Sequence, residues 1–440
     1  ESGSESAIAK VLLSPICSSL EHDSLALYLG DLGKADAMPD PPATEVVNIA
    51  IKVFAIAFPL TPPKIQESIL EQVATFLSAG SLQRDPGRKA AMNVNIATAL
   101  FSTLKVAVKE TQSPAGDLTN PAVEKLLQEI LHSFVIHPDQ YIRSIGYEAL
   151  ARLCNSSGNS FTNGEIKYLV DTIVGNREPS ARAGCAMALG AIHAQVGSMA
   201  AGFHLKTILG ILMSLCNDPH PTVHFWALAA LSGVADSAGL NFSGYVTSTL
   251  GMVGQLYVAD THNQEVASAV TSNLELELST TVVIARCVDS LVNVLGPDLQ
   301  DMSKPRELIL TLVGQFQEED NPLVQGGSLR CLEHLALYAP GHMVFIDYVV
   351  LLQKDLSSQY PDLRDIAVDG LYNLMKRNSE DVVKAAETGF EDQLWLALDS
   401  APNHDGIRNV IRNWLRQSCL TETARWLQRC QTVLTMTRPK

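Results

Sequence analysis

Apolar positions along this chain recur with helical spacing, and the same pattern returns many times. A turn carrying Pro, Asp or Asn precedes an Ala-rich amphipathic segment. One leucine per copy serves as origin: Leu150, Leu189, Leu231, Leu291, Leu332, Leu371 and Leu415. Eight positions earlier stand Ile142, Ala181, Val223, Val283, Val324, Leu363 and Ile407. Successive copies lie 39, 42, 60, 41, 39 and 44 residues apart. Apart from the 60, these spacings fit a helical-hairpin repeat of about 40 residues.

The leucines define the alignment, so the other columns test it. Four positions before the leucine stand Gly146, Cys185, Ala227, Cys287, Ser328, Ala367 and Ile411, small in six of seven copies. Immediately before it stand Ala149, Ala188, Ala230, Ser290, Cys331, Gly370 and Trp414, again six of seven small. Three after it come Leu153, Ile192, Val234, Val294, Leu335, Leu374 and Ser418, apolar in six of seven. These offsets trace one face of a helix, and small residues there let neighbouring helices approach closely. Pro138, Pro179, Pro219, Pro221, Pro322 and Pro361 fall just before the first apolar position, where a helix start tolerates proline. Arg143, Arg182, Arg364 and Arg408 follow that position, replaced elsewhere by His224, Ile284 and Gln325.

Small-residue helices, prolines before them and that Arg resemble HEAT repeats. The predicted fold is all-α, an α-solenoid of HEAT-type helical hairpins. The Ala-rich helices form its inner row, and segments such as 166–174, 205–215, 307–316 and 344–356 its outer row. Residues 137–440 read as the regular solenoid and 1–136 as less regular helical repeats, with helices over 45–58, 64–77, 88–108 and 123–135. At about 40 residues per hairpin the chain holds about ten. The spacing of 60 implies an insertion near 262–281. There Leu274, Leu276 and Leu278 alternate with Glu275 and Glu277, a strand-like pattern with no sheet to join. We expect a variant helix or an excursion.

One part of the chain resembles a particular HEAT family. Ala181-Arg182-Ala183-Gly184-Cys185-Ala186-Met187-Ala188-Leu189-Gly190 opens the match. Trp226-Ala227-Leu228, Ala235-Asp236-Ser237-Ala238-Gly239 and Gly244-Tyr245-Val246 follow in order. Leu295-Gly296-Pro297-Asp298-Leu299-Gln300 and Leu337-Tyr338-Ala339-Pro340 complete it. Together they resemble the HEAT-repeat-containing protein five family, which includes the fungal large accessory protein of the clathrin adaptor. That resemblance implies a scaffold within a very long cytosolic solenoid. Its implied partners are the clathrin adaptor complex and small linker proteins, at the trans-Golgi network, endosomes and clathrin-coated vesicles. Membrane association would be peripheral, through those partners. The resemblance supplies no catalytic residue. A chain that starts at Glu1 and is this short for the family is expected to be a fragment. The alternative is a HEAT scaffold of another class, such as a nuclear transport receptor or a phosphatase scaffold.

Charge sharpens this picture. With 32 basic and 47 acidic side chains the formal charge is −15, which disfavours a nucleic-acid binder. Residues 404–440 reverse the trend, with seven basic against two acidic side chains, a net of +5. Arg408, Arg412 and Arg416 stand one helical turn apart, with Arg425 and Arg429 beyond and Trp414 and Trp426 among them. These five arginines are the candidate partner-binding face, for an acidic peptide or an anionic surface. The simpler reading is a solvated face, or a junction with a further repeat.

No other chemistry is expected. The eight cysteines, of which Cys17 and Cys419 are two, lie at least eleven positions apart. They read as reduced, buried thiols of a cytosolic protein. His220 and His224 have HxxxH spacing without the glutamate of a zinc protease, and Pro221 sets His220 at a helix entrance. Glu318-Glu319-Asp320 reads as a solvated turn. No P-loop, GxGxxG or GxSxG is present, so neither a catalytic residue, a metal nor a cofactor is expected. No stretch reaches the roughly 18 uninterrupted apolar residues of a membrane span. Whether two copies pair stays open.

Overall fold

The structure is a computed structural model. It describes residues 42–78, 86–109, 118, 120–197, 204–267, 279–387, 389–401, 403–418 and 423–436. Those residues are helical or in turns, with no strand among them. Contacts divide the chain into two compact units, Glu1–Asn241 and Phe242–Lys440.

In the first unit, α1 (Pro42–Ala57), α2 (Pro63–Ser78), α3 (Pro86–Lys109) and α4 (Pro121–Val135) precede α5 (Gln140–Ser157). Then come α6 (Asn159–Gly175), α7 (Pro179–Val196), α8 (Leu205–Leu215) and α9 (Pro221–Ala238). Helices α1, α3, α5, α7 and α9 pack in sequence as one row. Helix α4 lies against α5, α6 against α7, and α8 against α9 as a second row.

The second unit repeats the plan. Its inner row is α11 (Thr280–Leu295), α13 (Pro322–Tyr338), α15 (Pro361–Ala385) and α17 (Asp405–Ser418). Its outer helices are α10 (Val246–Ala267), α12 (Ser303–Gln317), α14 (Phe345–Asp355) and α16 (Phe390–Ser400), and α18 (Thr423–Met436) follows. Each unit is therefore a two-layer α-solenoid segment, as the columns predict. Helix α10 runs on through 262–267, whereas the Leu/Glu alternation at 274–278 lies outside the described residues.

The turns explain why several helices, most of them inner, start where they do. Asn120, Asn176, Asp218 and Asn321 each accept, through the side-chain oxygen, the N–H two residues ahead, at 3.1, 2.9, 2.9 and 2.9 Å. Each is an Asx turn that delivers the chain to a proline at the start of the next helix. The residue after the first apolar position then closes the turn. Arg143 donates to the carbonyls of His137 and Pro138 at 3.1 and 2.6 Å. Gln325 donates to the Glu319 carbonyl at 2.7 Å, and Arg364 to that of Ser358 at 3.1 Å. Arg182 instead pairs across to Asp218, 2.6 Å away. Gly239 and Gly296, at φ 52 and 51, end α9 and α11 in a backbone region that other residues rarely adopt.

Burial follows the columns. All seven residues at the first apolar position are buried, as are six of the seven anchor leucines. Leu415 is the exception and is half-buried. In that copy Trp414 stands where the others have a small residue; its ring meets Phe390 edge-on at 4.7 Å instead of entering the seam. The small residues are where backbones touch. A Cβ on Gly184 would lie 1.8 Å from the Val135 carbonyl oxygen, and one on Gly146 2.8 Å from the Phe134 backbone.

The stretch 221–259 is long and apolar enough, by length and composition, to cross a bilayer. The turn at Gly239 breaks it, and α9 buries its apolar residues against α7 and α8, as a core helix does. The Gly184→Ala variant should lose about 3 kcal/mol of stability, because the added methyl meets backbone that cannot yield. Gly233→Ala, mid-helix with open space around it, should gain about 0.5–1 kcal/mol. Denaturant melts of the two variants check both signs.

Candidate partner-binding face

The five arginines of the candidate face lie on two helices and have different surroundings. Helix α17 buries Ile407, Val410, Ile411 and Ser418, so a repeat of four carries Arg408, Arg412 and Arg416 along its opposite side. All three are exposed. Arg408 reaches Asp405 at 3.6 Å and Asn403 at 3.5 Å, both of them exposed; such a contact contributes little.

Arg429, on α18, does something else. It donates to Asp392 of α16 at 2.7 Å and lies over the Trp395 ring at 5.8 Å, fastening α18 to α16. Arg425 sits on α18 as well, with its side chain outside the described residues. The tryptophans among the arginines are packing groups. Trp426 is only 5% exposed; its indole N–H donates to the Ser418 hydroxyl at 2.8 Å, and its ring lies 6.1 Å from that of Trp395. Among the described side chains of the five, Arg408, Arg412 and Arg416 are the exposed ones.

The remaining candidates fall to structural roles. His220 is exposed with extended backbone before α9, whereas His224 is in its first turn, so the two do not share a helical face. Cys154, Cys185, Cys216, Cys287 and Cys331 are buried and Cys430 is exposed; Cys17 and Cys419 lie outside the described residues. Burial pushes the Cys185 thiol up to about 12, and those of Cys154 and Cys331 up as well, which removes nucleophilic thiolate. Within the acidic turn, Glu318 and Asp320 are exposed, while Glu319 accepts the Tyr257 hydroxyl at 2.8 Å. Among the described residues no group of three His, Cys, Asp or Glu is placed to hold a metal ion.

One polar node has no counterpart in the sequence reading. Glu165 of α6 is buried at 1% exposure and accepts from Gln128 of α4. His132 meets its other oxygen at 2.7 Å and stacks on Tyr168 at 3.9 Å. The node pins α6 to α4. Its partners are 33 and 37 residues away in sequence, so nothing local marks Glu165 as different from a surface glutamate.

No protein-family model matches the chain. Curated relatives do. The chain is 25% identical over 403 residues to Protein SWEETIE of Arabidopsis thaliana, covering 90% of this chain and 17% of that protein. It is 22% identical over 437 residues to AP-1 accessory protein LAA1 of Saccharomyces cerevisiae, covering 91% of this chain and 21% of that protein. The chain is homologous to both. This bears out the resemblance read from residues 181–340 and extends it along nearly the whole chain, which spans about a fifth of either relative's length. Among solved structures, Kap121p bound to Pho4p superposes at a TM-score of 0.57 and 13% identity, covering 94% of this chain and 42% of that one. A Kap121p mutant gives 0.56 and 13%, covering 97% and 43%. At that identity the likeness shows a shared solenoid fold.

The contrast between arginines is measurable. Arg143→Ala, which strips a buried guanidinium from two carbonyls, should cost about 2 kcal/mol in urea unfolding. Arg412→Glu, at an exposed position, should stay within about 0.5 kcal/mol of the parent.

Proposed function

We propose that the chain is a non-enzymatic scaffold segment of a clathrin-adaptor accessory protein. In this reading it supports adaptor recruitment and protein sorting at the trans-Golgi network and endosomes. The observation that carries the reading is the similarity to a protein named as accessory to AP-1, extending over 91% of this chain. The fold is compatible with it. Stacked hairpins present long helical surfaces, the architecture that suits binding of protein partners. The chain would work on the cytoplasmic side, reaching membranes through the adaptor and its small linker proteins.

Affinity capture from cells tests this. The tagged protein should co-purify with adaptor subunits and linker proteins, and lose them when the 42–436 solenoid is deleted. Recovery of a Ran-type GTPase or a phosphatase catalytic subunit, with no adaptor, would replace the reading with a HEAT scaffold of that other class.

A further inference from the structure

Helix α15 breaks at Asn378, whose backbone (φ −135, ψ 53) leaves the helical region between Arg377 and Ser379. Packing changes at the same point. Leu363, Ala367, Val368, Gly370, Leu371, Leu374 and Met375 are buried before the break, and Val382 alone is buried after it. The end of the helix, 379–385, is therefore held by little apolar contact and opens locally at small cost. The break also falls inside a basic run, Lys376-Arg377-Asn378-Ser379. The chain has two adjacent pairs of basic residues, Arg88-Lys89 and Lys376-Arg377, and only the second has a hydroxyl residue two positions on. Lys376, Arg377 and Asn378 are exposed and Ser379 is half-exposed. The Ser379 hydroxyl accepts the side-chain N–H of Gln417 on α17 at 2.6 Å, in a contact open to solvent.

We propose that Ser379 is a phosphorylation site for a protein kinase that reads basic residues before its target serine. Such an enzyme takes its substrate as an extended segment and meets the guanidinium and ammonium groups with carboxylates. The break at Asn378 and the sparse packing beyond it supply that segment without disturbing the buried part of α15. In the transfer, Ser379 Oγ attacks the γ-phosphorus of a nucleoside triphosphate brought by the kinase. The Oγ–P bond forms as the bond from that phosphorus to the β,γ-bridging oxygen breaks. Nucleoside diphosphate leaves, and the hydroxyl proton passes to the kinase's aspartate base. A kinase that reads acidic residues fits less well, because the acids stop at Glu380 and Asp381 and the next residue, Val382, is buried. The phosphate brings about two negative charges beside Glu380 and Asp381 and stands where the hydroxyl now meets Gln417. Repulsion among those charges loosens 379–385 from α17. The inference goes beyond the adaptor reading and does not rest on it.

The test incubates the folded 440-residue chain with magnesium, ATP and the catalytic subunit of a cyclic-AMP-dependent protein kinase, and locates phosphate by mass spectrometry. Phosphate should appear on Ser379 and be lost from that position in S379A. The K376A/R377A double variant should lower kcat/KM for Ser379 by about tenfold or more. Unchanged circular dichroism of that variant shows that the fold is intact. A kinase selective for acidic sequences, run in parallel, should leave Ser379 unmodified. Amide hydrogen exchange over 379–385 should rise on phosphorylation. Absence of phosphate from Ser379 would overturn the inference, as would a rate that the double variant does not change. Modification of a free 372–385 peptide but not of the folded chain would also overturn it, as would modification by the acid-directed kinase alone. Unchanged exchange in the phosphorylated chain would overturn the loosening from α17.

Discussion

Close approach of helix backbones at small residues is the constraint on which the rest of this structure depends. At Gly184 the gap to the Val135 carbonyl is narrower than any side chain allows, and at Gly327 a Cβ would come within 2.9 Å of Ala285. Approach that close accompanies burial of the anchor leucines in six of seven copies. It also explains the residue choice around them: Ala, Ser and Cys recur because each is small, and the thiols are there as volume rather than as chemistry. The low aromatic content of 6% has the same origin, since a ring does not fit the seam. Trp414 shows the consequence, because the copy that carries it leaves its leucine half-buried.

A stack held by apolar seams alone would tolerate slippage between layers, since small residues offer little shape to lock. Polar contacts between successive inner helices supply the register. Asp289 meets His334 at 2.6 Å, Glu333 accepts from Asn373 at 2.6 Å, and Asp365 lies 3.3 Å from His404. The first two join α11 to α13 and α13 to α15, and the third joins α15 to the residue before α17. They are part-exposed, so their individual contribution is small, but each is satisfied only in one alignment of the pair. The turn locks made by Arg143, Gln325 and Arg364 act one level lower, fixing the angle at which each hairpin folds back.

Legibility in the sequence tracks how local the causes are. The inner helices were readable because proline at the entrance, small residues on one face and leucine at the origin all lie within one 18-residue window such as Pro179–Val196. The outer helices Leu205–Leu215 and Phe345–Asp355 follow from their apolar runs. Long-range chemistry was not readable. Glu165 looks like a surface glutamate until α4 brings Gln128 and His132 to it. The candidate face divides in the same way. Arg408, Arg412 and Arg416 share one helix, so their common side is fixed by spacing alone. Arg429 looked like a fourth member because its tie to Asp392, 37 residues earlier, depends on how α16 and α18 pack.

Where positions five and nine of an inner helix, counted from its first apolar position, are small or apolar, the free energy of burial belongs to the next helix and the face is closed to partners. Where one carries a charge, as Glu333 does at position nine of α13, the next helix closes over it with a polar partner, Asn373 at 2.6 Å. The basic end at 404–440 is set against a body of opposite sign and places Arg412 and Arg416 at positions five and nine of α17. Apolar and charged seam positions thus close by different means, burial in the one case and polar pairing in the other.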